Sequence, residues 1–320
     1  MTIALAILSL VALYPFLLEA LRPRMSSRAR ADAPGSFAKL SQGTVHYRWL
    51  GADEGPVAVC IHGLTTPSFV WTPVAKGLGD MGYRVLVYDL YGRGYSDRPR
   101  GAQDCAFFIR QLSDLLADQG ITEDITLLGY SMGGTIAPCF AAQHPSMIRQ
   151  LILLASAGLG QDLGPASRLL AQTGLFGSWA MLSVYGRSMR RALEAERSQT
   201  SSVPGIVDMQ IAQLRHRGYL PAVLSSLRGA LDADMQDAHR SVADTGIPVL
   251  AIWAQDDDVI PIAGRDMLTS WNPAARQEVV AGAGHSLPYT HDAAVIQILS
   301  AHLKRQGSGQ GGPRLTTSNV

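Results

Sequence analysis

The chain has 320 residues, with 27 Lys and Arg against 26 Asp and Glu and a formal net charge of +1. That length accommodates one large α/β domain with an inserted subdomain, and the charge balance excludes nucleic-acid binding, which needs a concentrated basic surface. The three cysteines, Cys60, Cys105 and Cys139, are too few and too scattered for a disulfide framework or a zinc site, and no metal site is expected.

The chain begins MTIALAILSLVALYPFLLEALRPRMSSRAR, apolar from Ile3 to Leu18 except for Ser9. Residues 1–24 read as an N-terminal membrane anchor or signal-like segment, at the lower length limit for a bilayer-spanning helix. No Lys or Arg precedes the run, whereas Arg22, Arg24, Arg28 and Arg30 follow it. The positive-inside rule then keeps the rest of the chain cytoplasmic, associated with the membrane through this segment. The rival readings are a signal-anchor of opposite orientation and export with removal of the segment. Ala29-Arg30-Ala31 resembles a cleavage site but lies far from the apolar run.

Residues 36–158 alternate short apolar runs with helical patterns. AKLSQGTVHYRWLG reads as a hairpin turning at Gln42-Gly43. PVAVCIHG, YRVLVYDL, DITLLGYS and QLILLASAG follow, each a β-branched or leucine-rich run ending in a small or polar residue. Such runs suit strands buried on both faces of a parallel sheet. Helices are predicted from Trp71 to Met81, Gln103 to Gln119 and Met132 to Gln143, the last interrupted by Pro138, which removes one ladder bond. Residues 159–245 hold amphipathic stretches and no strand, and read as a helical cap inserted at the ligand-bearing end of the sheet. Residues 246–304 resume the alternation with PVLAIWAQDDD and QEVVAGAGH and with helices from Ala263 to Trp271 and His291 to Lys304. Residues 305–320, rich in Gly and Ser, read as a disordered tail. Strand, helix, strand in this rhythm implies a doubly wound sheet with right-handed crossovers.

Function in open parallel sheets collects at the carboxyl ends of the strands. There the chain places CIHGL, YDLYGRGYSD, GYSMGG, AQDDDVIP and GAGHS, hence a hydroxyl, carboxylates and an imidazole in the order Ser, Asp, His. Ser131, between Gly129 and Gly133, could be a simple helix N-cap. In this context it also suits a nucleophile on a sharp strand-to-helix turn, where neighbouring side chains would collide. A serine hydroxyl becomes a good nucleophile only when a base takes its proton.

These features resemble the α/β-hydrolase superfamily: the G-x-S-x-G elbow Gly129-Tyr-Ser-Met-Gly133, the upstream His62-Gly63, the DLYGRGYSD segment and the chain order of Ser, acid and His. The resemblance spans roughly Ser36 to Leu303. It implies a mostly parallel eight-stranded sheet with helices on both faces and a helical cap. It implies Ser131 as nucleophile and His285 as base, with His291 the competing histidine. In relatives the acid commonly stands four residues before a proline, which selects Asp257 (before Pro261) among Asp256, Asp257 and Asp258. Asp89 is expected to tie down its own loop, and His62 to shape the oxyanion loop. The two oxyanion donors are the backbone N–H groups of Met132 and Leu64, although LTTPSF departs from a glycine-rich loop and Thr65 or Thr66 offers a hydroxyl instead. The expected activity is cofactor-free cleavage of a small hydrophobic carboxylic ester or thioester. Phe69, Trp71, Phe176 and Trp179 are candidate pocket residues. The alternatives are a C–C bond hydrolase of aromatic ring-cleavage products and a non-catalytic ligand-binding member of the fold.

Overall fold

The apolar runs form one eight-stranded sheet, in the order β1-β2-β4-β3-β5-β6-β7-β8. In the computed structural model, which describes residues 2–309, the strands are β1 (Ser36–Leu40), β2 (Gly43–Gly51), β3 (Val57–Ile61), β4 (Arg84–Tyr88), β5 (Ile125–Tyr130), β6 (Ile148–Leu154), β7 (Val249–Ala254) and β8 (Arg276–Val280). Strands β3 to β8 are parallel, and β2 pairs antiparallel with both β1 and β4. The first hairpin closes through Ser41 and Gln42, one residue earlier than its sequence suggests, because Gly43 already pairs with Leu40.

The central strands are unbroken apolar runs because both their faces are covered. Along β3 and β5, Val59, Ile61 and Leu127 enter one core, while Ala58, Cys60 and Leu128 enter the other. Helix α1 (Thr2–Leu21) precedes the sheet and packs against the helices between β6 and β7; the covering helices begin with α2 (Thr72–Asp80), α3 (Cys105–Asp118) and α4 (Gly133–Gln143). Between β6 and β7 the regular elements are all helical: α5 (Gly164–Gln172), α6 (Gly174–Ala180), a π-helical turn (Met181–Tyr185), α7 (Gly186–Ala195), α8 (Ile206–Gln213), α9 (Tyr219–Leu227) and α10 (Gln236–Asp244). Helix α10 packs on α4 and on α11 (Gly264–Trp271), so it rejoins the layer beside the sheet. The chain ends with α12 (Leu287–Thr290) and α13 (Asp292–Gly309). Thus α13 carries the helix into the first residues of the expected tail; the remainder of that tail lies outside the described residues.

Helix α4 keeps its course through Pro138. Proline removes the amide that would bond the Gly134 carbonyl, and the Ser156 hydroxyl, after β6, lies 3.1 Å from that carbonyl and 3.0 Å from that of Ala157, its one proton shared between them. The loop after β4 is held by Asp89, as expected from the sequence. Its carboxylate meets His46 Nδ1 at 2.8 Å and accepts the N–H groups of Ser68 and Tyr95, each at 2.9 Å.

Both ring nitrogens of His46 face acceptors, since Nε2 meets the Pro34 carbonyl. Burial opposes its charge, but the hydrogen bond and charge of Asp89 outweigh burial and raise its pKa. Burial likewise opposes the charge on Asp89, yet His46 and the Ser68 amide hold that carboxyl well below the usual range. The stability from the raised His46 is complete below about pH 6.5 and is lost as pH rises through its folded value. The Asp89 contribution is present above about pH 3.9 and is lost as pH falls through its depressed value. His46→Gln is therefore expected to cost about 1.5–3 kcal/mol at pH 5.5 and to abolish this alkaline decline, as measured by denaturant unfolding between pH 4 and 9.

Candidate active site

Ser131 occupies the turn between β5 and α4 with φ +53°, a left-handed conformation that persists in a non-glycine residue only where the surroundings enforce it. Its N–H donates to the Leu154 carbonyl at 3.1 Å, and its own carbonyl accepts from Gly134 at 2.8 Å and Ala157 at 3.0 Å. The flanking glycines are sterically required. A Cβ on Gly129 would lie 2.4 Å from the Gly133 carbonyl oxygen, and one on Gly133 would lie 2.2 Å from that of Ile61.

Above this turn the structure brings together the three side chains expected from the sequence. His285 Nε2 lies 2.9 Å from Ser131 Oγ, and His285 Nδ1 lies 2.8 Å from Asp257 Oδ2. An ionised carboxylate only accepts, so Nδ1 carries the imidazole proton and Nε2 presents its lone pair to the serine hydroxyl. The other Asp257 oxygen accepts the N–H groups of Val259 and Ile260, both at 2.8 Å. Asp256 and Asp258 are exposed, whereas Asp257 is buried. His291, the rival base, bonds to its neighbour Thr290 at 3.0 Å. Tyr130, which the sequence reading did not single out, donates its hydroxyl to the His285 carbonyl at 2.9 Å. Its position one residue before the nucleophile was the only available signal.

Leu64 lines the cavity beside Ser131, and Met132 follows Ser131 in the turn. Among the described residues, neither backbone N–H donates to a protein acceptor, so both remain available to a ligand oxygen. The loop bearing Leu64, whose LTTPSF sequence departs from a glycine-rich one, is positioned by side chains. His62 Nδ1 bonds the Gly63 carbonyl at 2.8 Å, and its Nε2 accepts the Leu90 N–H at 2.9 Å. Burial lowers the His62 pKa to about 4, which keeps the ring neutral and its acceptor nitrogen intact. Tyr219 Oη donates to the Thr65 carbonyl at 2.9 Å, and Gln210 Nε2 to Thr66 Oγ1 at 2.8 Å. The Thr66 hydroxyl is thereby engaged with the cap.

Arg93 joins these parts and was not evident from the sequence. It is fully buried without a carboxylate partner. Its Nε donates to the Leu64 carbonyl at 2.9 Å, and its Nη1 to the Tyr91 carbonyl at 2.9 Å and to Gln103. Nη2 reaches Ser226 Oγ at 2.8 Å and the Ala222 carbonyl at 3.3 Å, both on α9. Burial lowers its pKa to about 9, so the guanidinium stays charged at neutral pH.

The cavity at Ser131 measures about 310 Å³. Its apolar wall includes Leu163, Tyr185, Leu193 and Leu231, and its polar wall Glu196, Gln210 and Tyr289. No Lys or Arg lines it among the described residues, whereas Asp162 and Glu196 do. Burial raises the Glu196 pKa. None of the four predicted pocket aromatics lines this cavity. Trp71 is buried edge-on against Tyr130, and Phe69 packs into the core on the same side of the sheet. Phe176 and Trp179 stack on each other away from the cavity, and Trp179 bonds α1. Apolar character had marked these residues as covered surfaces without identifying what covers them. Among the described residues, no group of three or more His, Cys, Asp or Glu is arranged to hold a metal ion.

The family profile described as alpha/beta hydrolase fold matches residues 56–292. The chain is similar to the pimeloyl-[acyl-carrier protein] methyl ester esterase of Aliivibrio salmonicida, 28% identical over 272 residues covering 82% of this chain and 97% of that protein. It is 26% identical over 249 residues to the 2-hydroxymuconate semialdehyde hydrolase of Pseudomonas putida, covering 74% and 83% of the two chains. A thermophilic esterase from Thermogutta terrifontis has a similar structure, with a TM-score of 0.68 at 22% identity over 85% of this chain and 99% of that one.

Lysine cannot reproduce the five hydrogen bonds of Arg93, and each buried acceptor left unpaired costs roughly 1–3 kcal/mol. Arg93→Lys is expected to lower stability by about 2–4 kcal/mol, as measured by denaturant unfolding.

Proposed function

Because the chain belongs to the alpha/beta hydrolase fold family, we propose that it is a serine hydrolase cleaving neutral, apolar carboxylic esters or thioesters through an acyl-enzyme. The observation that carries this reading is the continuous hydrogen-bonded line from Ser131 Oγ through His285 to Asp257. Ser131 Oγ attacks the carbonyl carbon as His285 Nε2 takes its proton. Charge moves to the carbonyl oxygen, toward the Leu64 and Met132 amides. Collapse of the tetrahedral species expels the alcohol or thiol, which receives the proton from His285. Water, deprotonated by His285, then attacks the acyl carbon and releases the acid and Ser131. Asp257 holds the imidazole in the required tautomer and stabilises its cation throughout.

The charge of the cavity favours a neutral substrate. A ring-cleavage product such as a muconate carries a carboxylate, whose burial is costly without a cationic partner. The cavity offers Asp162 and Glu196 and, among the described residues, no Lys or Arg. The apolar wall suits an acyl chain or an apolar alcohol.

A fluorophosphonate probe is expected to label the wild-type protein and not Ser131→Ala. On nitrophenyl esters, His285→Gln and Asp257→Asn are expected to lower kcat by about 10³–10⁴ with the fold intact by circular dichroism. Absence of labelling on folded protein would favour the non-catalytic reading. Faster turnover of a dienoate ring-cleavage product than of any ester would overturn the ester assignment. In the same assay Glu196→Gln is expected to raise kcat/KM for an ester bearing an acyl-chain carboxylate by roughly tenfold, leaving the uncharged ester within about twofold.

A further inference from the structure

Helix α1 is apolar around its whole circumference. Ile3, Leu8, Leu13 and Leu17 point to different sides of it, and all are more than half exposed. A helix with no polar face needs either a protein core or lipid around it, and α1 has the length and composition to enter a membrane.

It is not a free stalk. Pro15 lacks the amide that would bond the Val11 carbonyl, and Trp179 Nε1 on the cap donates to that carbonyl at 3.1 Å. Four residues after Pro15, Glu19 Oε1 accepts the Gly218 N–H at the start of α9 at 2.6 Å. Beyond the helix, the Arg217 N–H donates to the Pro23 carbonyl at 2.9 Å. The second half of α1 is thus stapled to the cap. Past the Trp179 contact, Thr2 to Leu10 extend the helix about 14 Å at 1.5 Å per residue.

The cap surface beside this junction is apolar as well. The Phe176 ring stacks on Trp179 at 6.2 Å and is 59% exposed, and the adjacent Leu175 is 84% exposed. Val184 and Leu169 are also more than half exposed. Basic residues flank both parts: Arg24 and Arg28 after α1, and Arg187 and Arg191 on α7, all exposed. Val184, Arg187 and Arg191 are three and four residues apart along one helical run, so an apolar stretch passes into a basic one.

We propose that the N-terminal half of α1 and this outer face of the cap enter one leaflet of a phospholipid bilayer together, with the flanking arginines at the headgroups. The cap then faces the membrane beside α1. The same elements reach the cavity: α5 exposes Leu169 and contributes Ser167 to the cavity wall, and the π-helical turn exposes Val184 and contributes Tyr185. On the proposed esterase reading, on which this last step rests, apolar esters dissolved in the bilayer are the substrates this placement serves.

The test is flotation of the full-length protein with vesicles of phosphatidylcholine and phosphatidylglycerol. Wild type is expected to float. Leu169→Asp/Leu175→Asp, which alters exposed residues and leaves α1 intact, is expected to lower the partition coefficient at least about tenfold while hydrolysis of a soluble short-chain ester is unchanged. Wild type that stays in solution overturns the proposal, as does wild type that hides this face in a stable dimer and does not float. A double variant that floats like wild type also overturns it, because α1 alone would then be the anchor. If neither protein hydrolyses an ester but only wild type floats, the docking surface stands and the esterase reading fails.

Discussion

The site depends on the close packing of one backbone turn. Ser131 sits at φ +53°, a conformation costing on the order of 1–3 kcal/mol, and three main-chain hydrogen bonds and two intolerant glycines keep it there. Gly133 brings the start of α4 against the end of β3, and Gly129 brings β5 under that helix. The consequence is directional: the hydroxyl stands clear of the sheet, 2.9 Å from the imidazole that can take its proton. Even the proline in α4 is accommodated within this packing, because the Ser156 hydroxyl partly replaces the missing amide at Gly134.

A second constraint acts from above. The loop carrying Leu64 is held by a neutral histidine below and by cap side chains on its other side. His62 accepts from Leu90, while Arg93, Tyr219 and Gln210 tie the carbonyls of Leu64 and Thr65 and the hydroxyl of Thr66 to the cap. A guanidinium buried without a carboxylate is costly to desolvate, and its hydrogen bonds to carbonyls, Gln103 and Ser226 offset that cost. The cap therefore helps to shape the loop as well as covering the cavity. A change in cap position would be felt at the Leu64 amide through these contacts.

The cap also has two differently specified faces. Toward Ser131 it presents Glu196, Gln210 and apolar side chains, an arrangement suited to neutral ligands. Away from the cavity it presents Leu175, Phe176 and the staple to α1. The Val11 carbonyl explains why that staple is specific. An unpaired backbone acceptor is expensive in any apolar setting, and Trp179 supplies the donor that Pro15 lacks.

The sequence by itself determined where the strands and the candidate reactive side chains lie along the chain. Unbroken apolar runs indicated a sheet covered on both faces, and small residues around Ser131 indicated a crowded turn. The order Ser131, Asp257, His285, with the family resemblance, singled out three groups that the fold joins in one hydrogen-bonded line. Among Asp256, Asp257 and Asp258 the resemblance to relatives with an acid four residues before a proline selected Asp257, and the fold buries that one alone. The partners of surfaces were not legible. Trp71, Phe176 and Trp179 are all apolar, and only the tertiary structure decided that Trp71 supports Tyr130, that Trp179 meets α1 and that Phe176 stacks on Trp179. Arg93 reads as an ordinary loop arginine until the Leu64 loop and α9, whose Ala222 lies 129 residues further along the chain, enclose it. The physical reason is common to these cases: hydrophobicity and hydrogen-bonding capacity are properties of a residue, but which acceptor or surface satisfies them depends on chain segments distant in sequence.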